Sequence, residues 1–243
     1  MKLALFAGGA VGERVAAFLQ REHADVACLA IAADDPHASA IAAHFPKNTI
    51  DAGDADALRA AAPDLGILAW WPHILREPQL SIPRLGWLNF HPSLLPHNRG
   101  KHYNFWAIVE EAPFGVTLHW IDSGVDSGDI AFQRPLPVRW EDTGATLYEA
   151  AQSAMAQLFE ESWPAIRDGR IPRTPQPATG SFHRASELDA ASRIDLEASY
   201  RARDLLNLLR ARTFPPHPAA WFVDDGVRYE VRVEIRKADD DER

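Results

Sequence analysis

Asn89 and His91 stand two residues apart in Trp87-Leu88-Asn89-Phe90-His91-Pro92. An amide side chain can donate an N–H to a developing oxyanion. An imidazole can take or give a proton near neutral pH. The pair lacks an acid to set the imidazole. Asp126 is the candidate, in the Gly- and Ser-rich stretch Asp122-Ser123-Gly124-Val125-Asp126-Ser127-Gly128. Each feature alone has an ordinary reading: an Asn-x-His at a strand end, and an Asp that shapes a turn. Together they place three polar groups and two turn-rich loops where a strand stops, and that points to acid–base chemistry on a carbonyl.

The element that must carry Asn89 and His91 is a short buried strand over Trp87 to Phe90. Pro92 forbids further ladder pairing and biases His91 away from helical angles. Side chains two apart share one face of a strand. Both therefore sit at the carboxyl end, where α/β sheets bind their ligands.

The run Asn89-Phe90-His91-Pro92-Ser93-Leu94-Leu95-Pro96, then Gly115-Val116-Thr117-Leu118-His119, then Asp122-Ser123-Gly124-Val125-Asp126-Ser127-Gly128, resembles the folate-dependent formyltransferase superfamily in order and spacing. The resemblance covers roughly the first three-quarters of the chain. It implies Asn89, His91 and Asp126 as the catalytic trio. It implies 10-formyltetrahydrofolate as formyl donor, with Trp71, His73, Ile74, Leu75, Asp122 and Val125 lining its pterin pocket. No metal is expected. Trp70-Trp71-Pro72-His73 departs from any fixed family pattern, so backbone contacts at His73, Ile74 and Leu75 transfer more safely than side-chain contacts.

Around this motif the pattern is strand, helix, strand, helix. Leu3 to Ala7, Val26 to Ala32 and Leu65 to Trp70 read as strands, with helices after Gly8 and near Asp54 to Ala62. Such alternation argues an α/β protein with a Rossmann-like, mostly parallel sheet and flanking helices. Ala7-x-Gly9-x-x-Gly12 approximates a dinucleotide fingerprint, and Asp34 lies about twenty residues beyond, as that motif requires. Its first glycine is alanine, however, and a tight strand–helix turn calls for glycine in any such fold. The resemblance instead sets Gly9 near the acceptor substrate.

Further along, Tyr103 to Glu111 reads as a helix, and Val116 to Ile121 and Ile130 to Arg134 as strands. Thr146-x-x-Glu149 reads as a capping box opening a long helix. Pro172 to Gly180 reads as a linker. A helix over Tyr200 to Arg212, with Leu205, Leu206 and Leu209 inward, precedes strands flanking the turn Asp224-Asp225-Gly226. The second strand alternates Val227, Tyr229, Val231, Val233 and Ile235, predicting one buried face. The expected organisation is a catalytic domain over 1–180 and a small C-terminal helix-and-hairpin subdomain over 181–243.

The chain has 243 residues, 47% hydrophobic and 24% charged, with formal net charge −9. That charge argues against a nucleic-acid partner. No apolar run reaches membrane-spanning length, and the apolar start is too short for a signal peptide. The single cysteine, Cys28, allows no internal disulfide and fits a cytoplasmic, reducing setting.

For the acceptor, Arg99-Gly100-Lys101-His102 and the stretch from Asn207 to Ala220 resemble the nucleotide-sugar N-formyltransferases. That implies a nucleotide-linked amino sugar, a homodimer built through C-terminal elements, and a role in surface-glycan (lipopolysaccharide) assembly. Lys101, His102, Arg210 and Arg212 are then candidates for the substrate, the cations meeting its diphosphate. The chain reads as too short for the tRNA-binding barrel of a methionyl-tRNA enzyme. The alternatives are a formyltransferase for another small amine, of ribonucleotide or methionyl-tRNA type, and a formyltetrahydrofolate hydrolase. A folate-binding scaffold would have no need of the proton-transfer trio.

Overall fold

The computed structural model describes residues 1–238. Its chain divides into two compact units that interleave in sequence. The first comprises Met1–His91, Val116–Arg134 and Gln152–Gln176, and the second Pro92–Gly115, Pro135–Ala151 and Pro177–Arg243.

The first unit carries the strands β1 (Lys2–Ala7), β2 (Asp25–Ile31), β3 (Leu65–Ala69) and β4 (Trp87–His91), with the helices α1 (Gly9–Arg21), α2 (Ala38–His44) and α3 (Ala55–Ala61) between them. The sheet is completed by β6 (Phe114–Trp120) and β7 (Ile130–Leu136), following the short β5 (Arg99–Gly100) and the helix α4 (Tyr103–Val109) in the chain. Strand order is β2-β1-β3-β4-β6-β7. The pairs β1–β2, β1–β3 and β3–β4 are parallel, and β4–β6 is antiparallel. The expected mostly parallel sheet with flanking helices is present.

Period-2 alternation divides the core between the two faces. Ala4, Phe6, Leu68 and Trp87 form one cluster with Leu58 of α3 and the buried Cys28. On the other face Phe90 meets Phe159, which also packs with Phe18 and Trp163. Burial pushes the Cys28 thiol up to about 11, so it acts as a small hydrophobe. Asn89 and His91 share the parity of Trp87. Their side chains therefore emerge on the Trp87 face, where the strand runs out of apolar residues.

The second unit contains α4 and the parallel pair β5 and β8 (Phe182–His183). It also holds α6 (Glu187–Ala191), α7 (Ala202–Ala211), and the hairpin of β9 (Ala220–Asp224) and β10 (Val227–Val231). Asp225 and Gly226 carry φ of 46° and 77°, the positive pair that a two-residue hairpin of matching twist requires. The expected C-terminal helix and hairpin are thus in place.

Three local expectations are corrected. The long helix α5 (Gly144–Arg167) opens one turn earlier than read, and its box joins Thr143 and Thr146. The Thr143 N–H donates to Thr146 Oγ1 at 2.9 Å, and the Thr146 N–H donates to Thr143 Oγ1 at 3.3 Å. Thr143→Ala is expected to lower stability by about 1 kcal/mol in denaturant unfolding. In α7 the buried residues are Asn207, Leu208, Arg210 and Ala211, while Leu206 is exposed and Leu205 and Leu209 are half-buried. Polar side chains that satisfy each other outcompeted the leucine stripe. Lastly, β10 stops at Val231, Val227 and Tyr229 are both exposed, and among the described residues the alternation survives only as the half-buried Val231, Val233 and Ile235.

Candidate active site

β4 pairs with β6 so that Asn89 lies opposite His119 and His91 opposite Thr117. One antiparallel register therefore sets four polar side chains in a patch at the end of a buried sheet. The spacing of Thr117 and His119 follows from it, since strand neighbours two apart face the same partners. Gln133 of β7 donates its Nε2 to Thr117 Oγ1 at 3.0 Å.

The protonation of His119 can be deduced. Its Nδ1 lies 2.9 Å from the carbonyl oxygen of Trp120, which can only accept, so Nδ1 carries the proton. In the neutral ring Nε2 is then an acceptor, and Asn89 Nδ2 donates to it at 3.1 Å. This fixes the Asn89 amide, with its nitrogen toward His119 and a second N–H left to aim elsewhere. In the sequence His119 stands in a motif without an evident task, because only the cross-strand register reveals its pairing with Asn89.

Asp126 completes the cluster. Its Oδ1 lies 3.4 Å from His91 Nδ1 and 3.6 Å from His119 Nε2. His91 and His119 are 4% and 2% exposed, and the ring planes meet at 82°. Buried to this degree, a carboxylate stabilises positive charge on His91 more strongly than it would in water. Asp126 adopts φ 51°, in the left-handed region that Asp enters more readily than most non-glycine residues. The expected trio of Asn89, His91 and Asp126 is thus brought together, with His119 as a fourth member.

The loop holding Asp126 is organised by Asp122, whose Oδ1 accepts from the Gly124 N–H at 2.9 Å and from Ser127 Oγ at 2.8 Å. Asp122 is therefore committed to loop shape through that oxygen. Of the other residues expected around the donor, Trp71 packs on Phe6 and His73, and its Nε1 is buried without a hydrogen-bond partner. Leu75 packs against the core cluster, while Ile74 and Val125 are exposed.

The first β–α turn answers the dinucleotide question. Gly9 has φ +59° and its N–H donates to Asp35 Oδ2 at 2.6 Å, while Trp70 covers its Cα side. The N–H that opens α1 is thereby taken by a carboxylate of the chain itself, the partner a phosphate would otherwise be. Asp34, the residue at the expected ribose position, instead forms a left-handed turn with φ 57°.

Lys101, His102, Arg210 and Arg212 all belong to the second unit. His102 is held below its usual value by burial and by the cations of Arg212 and Lys101. Lys101 is exposed. Arg212 is 8% exposed and its Nε has no hydrogen-bond partner. Arg210 is 6% exposed and held within its own unit. Its Nη1 donates to the carbonyls of Arg139 and Asp142 at 2.6 and 3.1 Å, and its Nε to Asn207 Oδ1 at 2.9 Å. Those donors are spent inside the protein, so Arg210 fastens α7 to the 139–142 loop through Nη1 and Nε. Arg210→Met is expected to lower stability by about 3 kcal/mol in denaturant unfolding, since it strands buried acceptors.

Among the described residues no helix is long and apolar enough to cross a membrane, and no group of three or more His, Cys, Asp or Glu is placed to hold a metal ion.

The sequence pattern of the formyl transferase family matches residues 4–162, and that of the N-formyltransferase dimerization C-terminal domain matches residues 187–237. The methionyl-tRNA formyltransferase of Methylacidiphilum infernorum is 39% identical over 178 residues, 72% of this chain and 54% of that protein. The chain spans about half the length of the curated relatives it matches. The 4-N formyltransferase of Francisella tularensis superposes with a TM-score of 0.81 at 20% identity over 98% of both chains. The formyltransferase PseJ of Anoxybacillus kamchatkensis was solved with UDP-4,6-dideoxy-4-formamido-L-AltNAc and tetrahydrofolate. It superposes with a TM-score of 0.62 at 27% identity, over 86% of this chain and 97% of its own. With the Asn89–His91–Asp126 cluster at the end of β4, these matches show that the chain belongs to the formyl transferase family.

Proposed function

We propose that this protein transfers the formyl group of 10-formyltetrahydrofolate to the amino group of a nucleotide-linked amino sugar. The observation that carries the reading is the contact of Asp126 with His91 beside an Asn89 amide oriented by His119. Acyl transfer to an amine needs an oxyanion donor and a group that moves a proton, and this cluster has both.

The donor, when bound, supplies an electrophilic formyl carbon. The residues proposed around it suit an apolar ring with a polar edge, since Ile74 and Val125 offer exposed apolar surface and the buried Trp71 Nε1 lacks an acceptor. Asn89 donates its remaining N–H to the formyl oxygen as negative charge develops there. His91, held against Asp126, either stands as imidazolium and adds positive charge beside that oxygen, or stands neutral, takes the proton of the attacking amine and passes it to the leaving nitrogen. His91 and Asp126 act as a coupled pair, and either can be the formal base.

The sugar acceptor is favoured by PseJ, which this chain matches over nearly all of PseJ's length. Lys101, His102 and Arg212 form a cationic cluster suited to a diphosphate, and Gly9 lies in a turn we assign to the acceptor side. We assign 1–180 to catalysis and 181–243 to acceptor binding and self-association. The exposed Val223, Val227 and Tyr229 of the hairpin suit a homodimer contact, and the pattern matched there describes a dimerization domain. One buried free thiol, Cys28, is consistent with a cytoplasmic enzyme of surface-glycan assembly.

The second reading is a methionyl-tRNA acceptor, favoured by the 39% identity to an enzyme of that name. To separate them, the protein is mixed with 10-formyltetrahydrofolate and, in parallel, dTDP-, UDP- and GDP-linked amino sugars, glycinamide ribonucleotide, methionyl-tRNA or buffer alone. Tetrahydrofolate release and acceptor mass are followed. One sugar gaining a formyl group is the expected result. Formylation of methionyl-tRNA alone, or release without any acceptor, would transfer the assignment to the tRNA or hydrolase reading.

A further inference from the structure

The stretch that composition marks as a linker holds the catalytic loop. Thr174 makes a two-way backbone bridge to Ile130, N to O at 2.8 and 3.0 Å, at the start of β7. Trp120 Nε1 donates to the Pro172 carbonyl at 2.8 Å. The Arg173 guanidinium lies 3.7 Å from the centre of the Trp120 ring and donates to the Leu85 carbonyl at 2.9 Å. Anchored in this way, residues 172–176 run beside the Asp126 loop and end at Gln176. One nitrogen of that side chain, Nε2, donates to both the Asp126 carbonyl at 2.8 Å and the Gly128 carbonyl at 2.7 Å. Gln176 Oε1 is buried and has no partner.

We infer that Gln176 is a positioning residue that holds Asp126 against His91. Two carbonyl oxygens can be met only by a donor, so the orientation of the amide is forced. The carbonyls it grips belong to Asp126 itself and to Gly128. Past Gly128 the loop is tied to β6, because the Trp120 N–H donates to the Asp129 carbonyl at 2.8 Å, and Gly128 itself lies so close to the Trp120 backbone that a Cβ there would stand 1.9 Å from its carbonyl oxygen. The loop is therefore clamped on both flanks of a residue in left-handed backbone. Such backbone relaxes when its surroundings loosen. The loss falls on the 3.4 Å approach of Oδ1 to His91 Nδ1.

This inference rests on the catalytic reading of Asp126, and the experiment separates the two. Gln176→Met, Asp126→Asn and the double variant are assayed for formyl transfer, each with its thermal midpoint. Gln176→Met is expected to lower kcat about tenfold and, in the Asp126→Asn background, to lower it no further, because a residue acting through Asp126 has nothing left to position. A full tenfold loss in both backgrounds would make Gln176 merely structural and overturn the inference. Wild-type kcat in Gln176→Met would overturn it while leaving Asp126 catalytic. Wild-type kcat in Asp126→Asn would instead remove the reading beneath it. Gln176→Glu, which keeps the shape, gives an independent check. Its carboxylate repels both carbonyls, but its protonated form regains one O–H donor for one of them. Its kcat relative to wild type is expected to rise as pH falls, and a ratio independent of pH would count against the clamp.

Discussion

Asp126→Asn is expected to lower kcat for formyl transfer about a thousandfold, with Asn89→Ala costing about a hundredfold or more. The two act on different parts of the same step. Asn89 has one N–H committed to His119 and one available to the developing oxyanion. Its loss removes a donor that strengthens only as charge forms, so kcat falls while the KM for donor changes little. Asp126 faces both imidazoles through one oxygen. Its neutral replacement leaves His91 without the charge that favours imidazolium, and the pH dependence of kcat should move with it. If Asp126→Asn kept a wild-type pH profile at a wild-type rate, His91 would be working without it. Stopped-time assays of tetrahydrofolate release, with a folded-state check by circular dichroism, measure both variants.

His119→Leu should lower kcat about thirtyfold, a loss between those of a weak orienting contact and an oxyanion donor. The imidazole is 2% exposed and touches neither solvent nor, in our reading, the reacting atoms. Its work is to accept from Asn89 while its other nitrogen is held by the Trp120 carbonyl. Leucine fills the space but offers no acceptor, and the freed Asn89 amide can turn away. His119→Gln restores an acceptor and should recover part of the rate. Equal losses in the two variants would mean that packing, not the hydrogen bond, is what His119 contributes. Comparing kcat for both, together with their thermal midpoints, distinguishes these outcomes.

Asn89, His91 and Asp126 were legible because strand termination is written in residue types. A buried run stops at Pro92, and a Gly- and Ser-rich loop brings an acid. His119 was not, since its meaning lies in a cross-strand register that pairs it with Asn89, and antiparallel partners do not announce themselves in one sequence. Pro172 to Gly180 looked like a linker because prolines and polar residues also describe a strap. What separates the two is where its Thr174 and Gln176 hydrogen bonds go. The burial of Arg210 and Asn207 was not legible for the opposite reason. Charged and amide side chains normally face water, and here they are buried because they satisfy one another and two loop carbonyls. The hairpin turn was easy to read and the burial of its strands was not, because alternation shows that a face is apolar without showing what covers it.

The central claim is tested most directly by following an isotopically labelled formyl carbon. The protein is incubated with labelled 10-formyltetrahydrofolate and the nucleotide-linked amino sugars, and the products are read by NMR. The label is expected in the formamide of one sugar, at a rate that Asp126→Asn lowers about a thousandfold. Label recovered only as free formate, or transferred equally well by Asp126→Asn, would contradict it.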